Sequence, residues 1–597
     1  MKFRIPKFSP LYLSLLFLAL AWTLPFLQWR HQPPIPSFYS EWLAFGFGLL
    51  ALLPLLFRRY WQPLLLPRTL LFVLGFPLIL ILQVALDLVA YPQQALVGAQ
   101  YFLWAAFLMW LGQRLGSELG LERIANVLAW ALLLGAVLSC GLGLLQHFGL
   151  HTPLDAFVNR KVSGAVLANL GQPNHLANYL VLGLASLLYL VAGNRLAPWL
   201  GVPLALLLVL VLALTGSRAG WLYLGALSVL AWLWRRPAGA NATPWLLPMA
   251  LLLLPAFAAA QWLAHLPFMQ GVSGVVTPTE RLFDLANGVA VRWALWREAW
   301  QMLTAQPWLG VGFGQFAWHN FQLASTGPTL LIGSVFNHSH NVVAQIGAEF
   351  GLAGLLLLLI GGGLWLRGCL HRPGLKHRTG TLAGWRAAAL LAVLGLHSLL
   401  EYPLWYANFL GIAAILIGAT DAHTLRLRLS GVLQAAFGLM LLLSGVSSLR
   451  MLGAYQQLEG LLLPHQVKMS PQEMDRVLQQ VRQESLLAPY SDFAYALSIA
   501  PNRELIADKI ALNAQVMHFA PTQELVYRHA LLLGVQGDSA AAQAMLKRAL
   551  IVYPAGANNF LQTWAAMDPE NRKQNAPLAT TARVFLQERQ QDAIHPK

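Results

Sequence analysis

Apolar runs of about twenty residues, separated by short loops rich in arginine, recur from residue 9 to residue 449 and constrain this chain more than any other feature. A run of that length crosses the hydrocarbon core of a bilayer as one helix. Helices are expected near 9–27, 41–57, 69–86, 99–116, 124–146, 176–193, 199–215, 219–234, 245–264, 342–366, 385–400, 404–420 and 431–449, about thirteen in all. With 57% hydrophobic and 11% charged residues, a soluble globular protein of this size is excluded. The net charge of +15 does not imply nucleic acid as a partner, because no basic stripe with interleaved aromatics is present. Cys140 and Cys369 lie in or beside apolar runs, so no disulfide framework is expected. The start, MKFRIPKFSP and an apolar run, lacks a small-residue cleavage site and reads as a retained first span.

Orientation follows from the basic residues. Lys2, Arg4 and Lys7, then Arg58, Arg59 and Arg68, Arg114 and Arg123, Arg195, Arg235 and Arg236, Arg367, Arg372, Lys376, Arg378 and Arg386, and finally Arg426 and Arg428 fall on one side of an alternating path. That side is expected to be cytoplasmic, with the C-terminus on the other, periplasmic side of a bacterial inner membrane. The chain then divides into N-terminal transmembrane helices (1–264), a large periplasmic loop with amphipathic helices (265–341), C-terminal transmembrane helices (342–449) and a periplasmic tail (450–597). In the tail, Pro489, Pro521 and Pro554 recur at intervals of 32 and 33 residues around a helix, a Gly537-Asp538 turn and a second helix. That is the outline of a tetratricopeptide-like unit, or of a plain helical domain.

Five polar stretches are expected on the periplasmic face. FNHSHNVVAQIGAEFGLAG (336–354) brings His338 and His340 to the start of a membrane helix. Two histidines without further ligands do not make a zinc site, so no metal is expected. His340, in the first helical turn, is the candidate proton acceptor; helix capping is the alternative. Gly347, Gly351 and Gly354 form a smooth face for a neighbouring helix, and Glu349 is a structural anchor. TGSRAG carries Arg218, an outside arginine suited to phosphate or to snorkelling. In the large loop, Arg292, Trp293, Trp296, Arg297 and Trp300 read as an amphipathic helix lying on the membrane, aromatic side down, with Arg292 as a second phosphate ligand. The glycine run GVGFG (310–314) lacks the P-loop lysine, so ATP is not expected. HSLLEYPLWY places His397 and Glu401 four apart on one helix face, with Tyr402, Trp405 and Tyr406 as an interfacial girdle. GQPNHLANYL sets Asn174 and His175 ahead of a span.

On these residues the chain resembles the O-antigen ligase/polymerase superfamily (Wzy_C), and within it the bacterial O-linking protein oligosaccharyltransferases of the PglL type. The family motif of His, then Asn, Ser or Gln, nine residues, and Gly-x-x-Gly is met by His340, Asn341, Gly351 and Gly354. GQPNHLANYL resembles the N-terminal signature of the protein-glycosylating branch, and HSLLEYPLWY with the helical tail resembles its C-terminal region. The resemblance covers most of residues 160–560. It implies a GT-C-like, all-α polytopic fold and an inverting, metal-independent glycosyltransferase without cofactor. The donor would be an oligosaccharide on undecaprenyl diphosphate, and the acceptor a Ser or Thr hydroxyl of an exported, pilin-like protein. Carried over by position, His340 would be the general base and Arg218 and Arg292 the diphosphate ligands. His338, Asn341, Asn174, His175, His397, Glu401, Tyr402 and Tyr406 would be supporting residues. The alternatives are an O-antigen ligase acting on lipid A core, an O-antigen polymerase, a transporter of lipid-linked glycan, and a non-enzymatic scaffold. A transporter predicts internal repeats of spans, and none is seen.

Overall fold

Backbone amides and carbonyls cannot stay unpaired in hydrocarbon, so each long apolar run closes its own hydrogen bonds as a helix. The computed structural model describes residues 9–160, 164–235, 245–275, 285–324, 335–371, 381–421, 423–427, 431–462 and 470–594. Of the basic residues used for orientation, Lys2, Arg4, Lys7, Arg236, Arg372, Lys376, Arg378 and Arg428 lie outside these. Among the described residues the fold is all-α apart from one two-stranded ribbon.

In chain order the first helices are α1 (Leu11–Leu27), α2 (Phe38–Leu56), α3 (Thr69–Ala85), α4 (Pro92–Glu118) and α5 (Leu121–Phe148). Next come α6 (Pro173–Ala192), α7 (Pro198–Leu214), α8 (Ala219–Trp234) and α9 (Leu246–Ala264). The large loop holds α10 (Leu285–Ala305) and α11 (Phe316–Ala324). Then follow α12 (Val342–His371), α13 (Leu382–Ser398), α14 (Ala407–Thr420) and α15 (Gly431–Leu462). Among the described residues, seven helices (α2, α4, α5, α6, α9, α12 and α15) are long and apolar enough to cross a membrane. The other six apolar helices are shorter. Only 11% of the apolar window of α15 is buried, and its Leu439, Leu442 and Leu443 are exposed. Such a surface belongs in lipid, and the protein is a multi-pass membrane protein.

The chain folds as two compact units. The first comprises Met1–Pro77, Gln100–Gly288 and Leu356–Ser448. Its central element is α6, whose apolar window is wholly buried against α5, α7 and α13. Pro173 occupies the first turn of α6 and the Gln172 side chain accepts the amide of His175, so GQPNH is a helix start written in cap chemistry. Arg386, read from the sequence as a loop charge, instead lies buried within α13 and donates to Ser186 Oγ at 3.1 Å. The ribbon, invisible to hydropathy, pairs β1 (Leu64–Pro67) with β2 (Thr424–Leu427) in antiparallel register. Beside it, Asp421 accepts from the amide and hydroxyl of Thr69 at 3.1 and 2.7 Å.

The second unit comprises Leu78–Ala99, Val289–Leu355 and Leu449–Lys597. Leu295, Ala299, Met302, Val311, Phe316 and Ala348 form one core joining α10, α11 and the start of α12. A second core buries Phe321 of α11 among tail residues such as Val526 and Ala530, and Trp318 stacks on His518 at 4.3 Å. The tail runs from α16 (Pro471–Glu484) to α17 (Ala488–Ser498), α18 (Ile506–Phe519), α19 (Gln523–Gln536) and α20 (Ser539–Val552). The turn between α19 and α20 falls at Gly537 and Asp538, where Asp538 caps Ala541 N at 2.9 Å. Tyr553 OH donates to Pro521 O at 2.5 Å, which ties two of the recurrent proline sites together.

One expectation fails in an informative way. Gly347, Gly351 and Gly354 do not form a face for a neighbouring helix. Gly351 has φ 63° and ψ −159°, and α12 is two helices joined through a break there. The segment 307–311 enters the break: Leu352 N donates to Pro307 O at 2.8 Å, Ala353 N to Trp308 O at 3.2 Å, and Val311 N to Ala348 O at 2.9 Å. A Cβ on Gly351 would lie 2.6 Å from Gly310 N, and one on Gly310 would lie 2.4 Å from the Glu349 carbonyl carbon. The glycines therefore admit a loop. Gln83 locks it, donating to Leu309 O and Glu349 O at 2.7 Å each and accepting from Phe313 N at 3.1 Å. Glu349 is buried and accepts from Phe316 N at 3.4 Å, with the amides of Gly314 and Gln345 also against it. The glycine run thus cradles the protein's own carboxylate.

Candidate active site

His340 does not lie in the first turn of α12. Asn341 is the residue that caps the helix, its Oδ1 accepting from Val343 N and Ala344 N at 3.0 and 3.2 Å. His340 precedes it with φ 53°, a left-handed conformation that a residue with a Cβ adopts only under constraint. The constraint is the peptide before it. Ser339 is fully buried; its amide donates to Gln345 Oε1 at 2.7 Å, its carbonyl accepts from Trp296 Nε1 at 3.1 Å, and its hydroxyl donates to Asn341 O at 3.0 Å. His340 N donates to Nδ1 of the buried His338 at 3.3 Å, so the proton of a neutral His338 sits on Nε2. The two imidazoles meet edge to face with centroids 4.0 Å apart, and His340 itself is only partly covered.

A second strut approaches from the other side. Phe336 N donates to Asn320 Oδ1 at 2.8 Å, and Asn320 Nδ2 donates to Glu298 Oε2 at 2.5 Å. Burial pushes the Glu298 carboxyl above the usual carboxylate range, while the Asn320 bond and the Arg297 charge oppose it. The sign follows from linkage. A carboxyl whose folded pKa exceeds its unfolded value favours folding below the unfolded value, and that contribution is lost as pH rises through the folded value. Glu298→Gln, which keeps an oxygen for Asn320, is expected to melt higher than the parent at pH 8 and alike near pH 4. Melting curves of the purified protein across that range check it.

On α10 the structure separates residues that the sequence grouped. Trp293 and Trp300 are 64% and 63% exposed, whereas Trp296 turns toward the Ser339 carbonyl. Arg292 is partly covered and Arg297 exposed. Ser339, Gln345, Glu298 and Asn320 escaped the sequence reading. A buried-side acid at position 298, beside Leu295 and Met302 on an apolar helix face, was the one available signal.

The first unit gathers its own polar group from three distant stretches. Asn174 Oδ1 accepts from Ser217 Oγ at 2.8 Å and Asn174 Nδ2 donates to Glu401 Oε1 at 2.9 Å, so GQPNH, TGSRAG and EYPLWY meet at one asparagine. Arg218 follows Ser217 and precedes the first turn of α8. His397 and Glu401 do not pair, because α13 ends at Ser398 and the two side chains diverge. His397 Nδ1 and Tyr223 OH share a 2.6 Å hydrogen bond, while Glu401 turns to Asn174. His175 packs edge-on against Tyr406 at 4.7 Å and lies 5.5 Å from His397. Tyr402 and Tyr406, expected in an interfacial girdle, are half-buried and share a 3.5 Å hydroxyl contact; burial raises both phenols. Among the described residues, Nε2 of His175 and of His397 are buried without a hydrogen-bond partner.

Residues 203–359, which hold Arg218, Arg292, His338 and His340, match the O-antigen ligase family. Residues 166–191 match the protein glycosylation ligase family, and residues 385–566 the C-terminal part of the virulence factor membrane-bound polymerase family. The general O-oligosaccharyltransferase of Acinetobacter baylyi is 29% identical over 430 residues, 70% of this chain and 71% of that protein. The ComP-specific O-oligosaccharyltransferase of the same organism is 23% identical over 406 residues, 65% and 68% of the two chains. The protein is therefore a membrane-bound enzyme of the glycosyltransferase type. Over these stretches it is similar to the O-antigen ligase family and to the general O-oligosaccharyltransferase and protein glycosylation ligase proteins.

Proposed function

We propose that the protein moves an oligosaccharide from undecaprenyl diphosphate onto a Ser or Thr hydroxyl of exported proteins such as pilins, at the periplasmic face of the inner membrane. The observation that carries this reading is His340, half-covered on a left-handed turn that three neighbouring residues hold in place. The acceptor oxygen attacks the anomeric carbon with inversion, the bond from that carbon to the diphosphate oxygen breaks, and the electron pair leaves with the diphosphate. His340 takes the acceptor's proton, and Arg218 and Arg292 hold the diphosphate as its charge grows, with no metal required. His338, Asn341, Asn174, His175, His397, Glu401, Tyr402 and Tyr406 are read as supporting residues of the same reaction.

The outward Trp293 and Trp300 of α10, with Trp308 at 73% exposure, fit a helix seated at the lipid headgroups beside the donor. The β1–β2 ribbon joins two loops that alternation puts on the cytoplasmic side, as a C-terminus outside requires. The tail reads as a tetratricopeptide-like brace, its helix pair meeting the repeat outline. Mass spectrometry of exported proteins from cells with and without the gene tests the acceptor class. Loss of glycan from exported proteins is expected. Loss from lipopolysaccharide alone, with proteins unchanged, overturns the protein acceptor in favour of the ligase reading that the O-antigen ligase match also admits.

A further inference from the structure

The two side chains that grip the backbone of Ser339 come from different helices, and each is already engaged there. Gln345 sits one turn into α12 and reaches back past the Asn341 cap to Ser339 N at 2.7 Å, farther back than the usual capping box reaches. Its amide also lies against the Glu349 carboxylate, which the inserted glycine loop holds. Trp296 reaches the next peptide from α10, donating to the Ser339 carbonyl at 3.1 Å. The Ser339 N–H and C=O belong to the two consecutive peptides that flank its Cα, so engaging both fixes both planes, and the second is the peptide from which the left-handed φ of His340 is set. We propose that Gln345 and Trp296 are the positioning residues of His340, setting its imidazole against His338 and toward the acceptor hydroxyl. This rests on the base role read above for His340.

Misplacing a reacting group by about an ångström lowers the rate by as much as a hundredfold. Gln345→Leu and Trp296→Phe keep bulk and packing but each removes one end of the grip. Each is expected to lower kcat for transfer from purified lipid-linked donor by about ten- to a hundredfold, with KM for donor and acceptor unchanged. The exchange Gln345→Glu with Glu349→Gln restores an acceptor to Ser339 N while keeping one amide and one acid side by side. It is expected to recover most of the kcat that Gln345→Leu loses. A kcat unchanged in both single variants, a loss carried in KM alone, or an exchange variant no better than Gln345→Leu overturns the proposal. Nitrogen-15 spectra of labelled histidine supply a readout independent of turnover: the protonated Nε2 of His338 is expected in the parent and its signal is expected to change in Gln345→Leu. Full transfer by His340→Ala with the histidine signals still dependent on Gln345 removes the base reading and leaves the grip. An unaltered spectrum in Gln345→Leu removes the grip.

Discussion

His340→Ala is expected to lower glycan transfer by about a hundred- to ten-thousandfold, the range that loss of a general base produces. The protein is expected to remain inserted and folded. The turn has supports of its own: Asn341 caps α12 through its side chain, and Ser339 is held by Gln345 and Trp296. The cost of the positive φ is unchanged in substance, since alanine carries a Cβ as histidine does. The measurement is single-turnover transfer from purified lipid-linked donor in detergent or nanodiscs, with melting temperature recorded beside it. Undiminished transfer at unchanged stability would sink the base assignment. His338→Ala is a useful companion, because His338 accepts the His340 amide and so acts on the same turn without being the base.

The second large effect concerns stability. Gly351→Ala places a methyl 2.6 Å from Gly310 N and from the carbonyl of Trp308, in a backbone region that glycine alone adopts with ease. The conformational strain costs about 1–3 kcal/mol and the overlap with backbone about as much again. Neither neighbour can withdraw, because Leu352 N and Ala353 N pair with the inserted carbonyls and Gln83 bridges both sides of the break. A large fall in melting temperature is expected, or failure to purify in folded form. Gly362→Ala in the same helix meets nothing within 4 Å and is expected to leave stability unchanged or slightly raised. Equal melting temperatures for the two variants would show that the insertion does not hold α12.

The His–Asn–Gly-x-x-Gly spacing therefore has a physical content that the string of letters does not reveal. Asn341 ends the turn and starts the helix, and Gly351 stops the helix ten residues later, where a loop must enter. The sequence suggested helix packing for those glycines because spacings of three and four put them on one helical face, which holds only while the helix is unbroken. The same limit explains Trp296. At helical spacing it groups with Trp293 and Trp300, and only the position of Ser339 decides that its ring turns inward.

By itself the sequence determined where the apolar helices lie, that the protein lives in a membrane, and that a helix opens just beyond His340. Hydropathy, caps and prolines act within a few residues, so they can be read in order along the chain. The tertiary structure decided everything that depends on partners far apart in the chain. It joined Asn174 to Ser217 and Glu401, parted His397 from Glu401, buried Arg386 against Ser186, and passed a glycine loop through α12. In each case a buried polar group had to find a hydrogen-bond partner away from water, and its choice depends on which atoms the fold brings within about 3 Å.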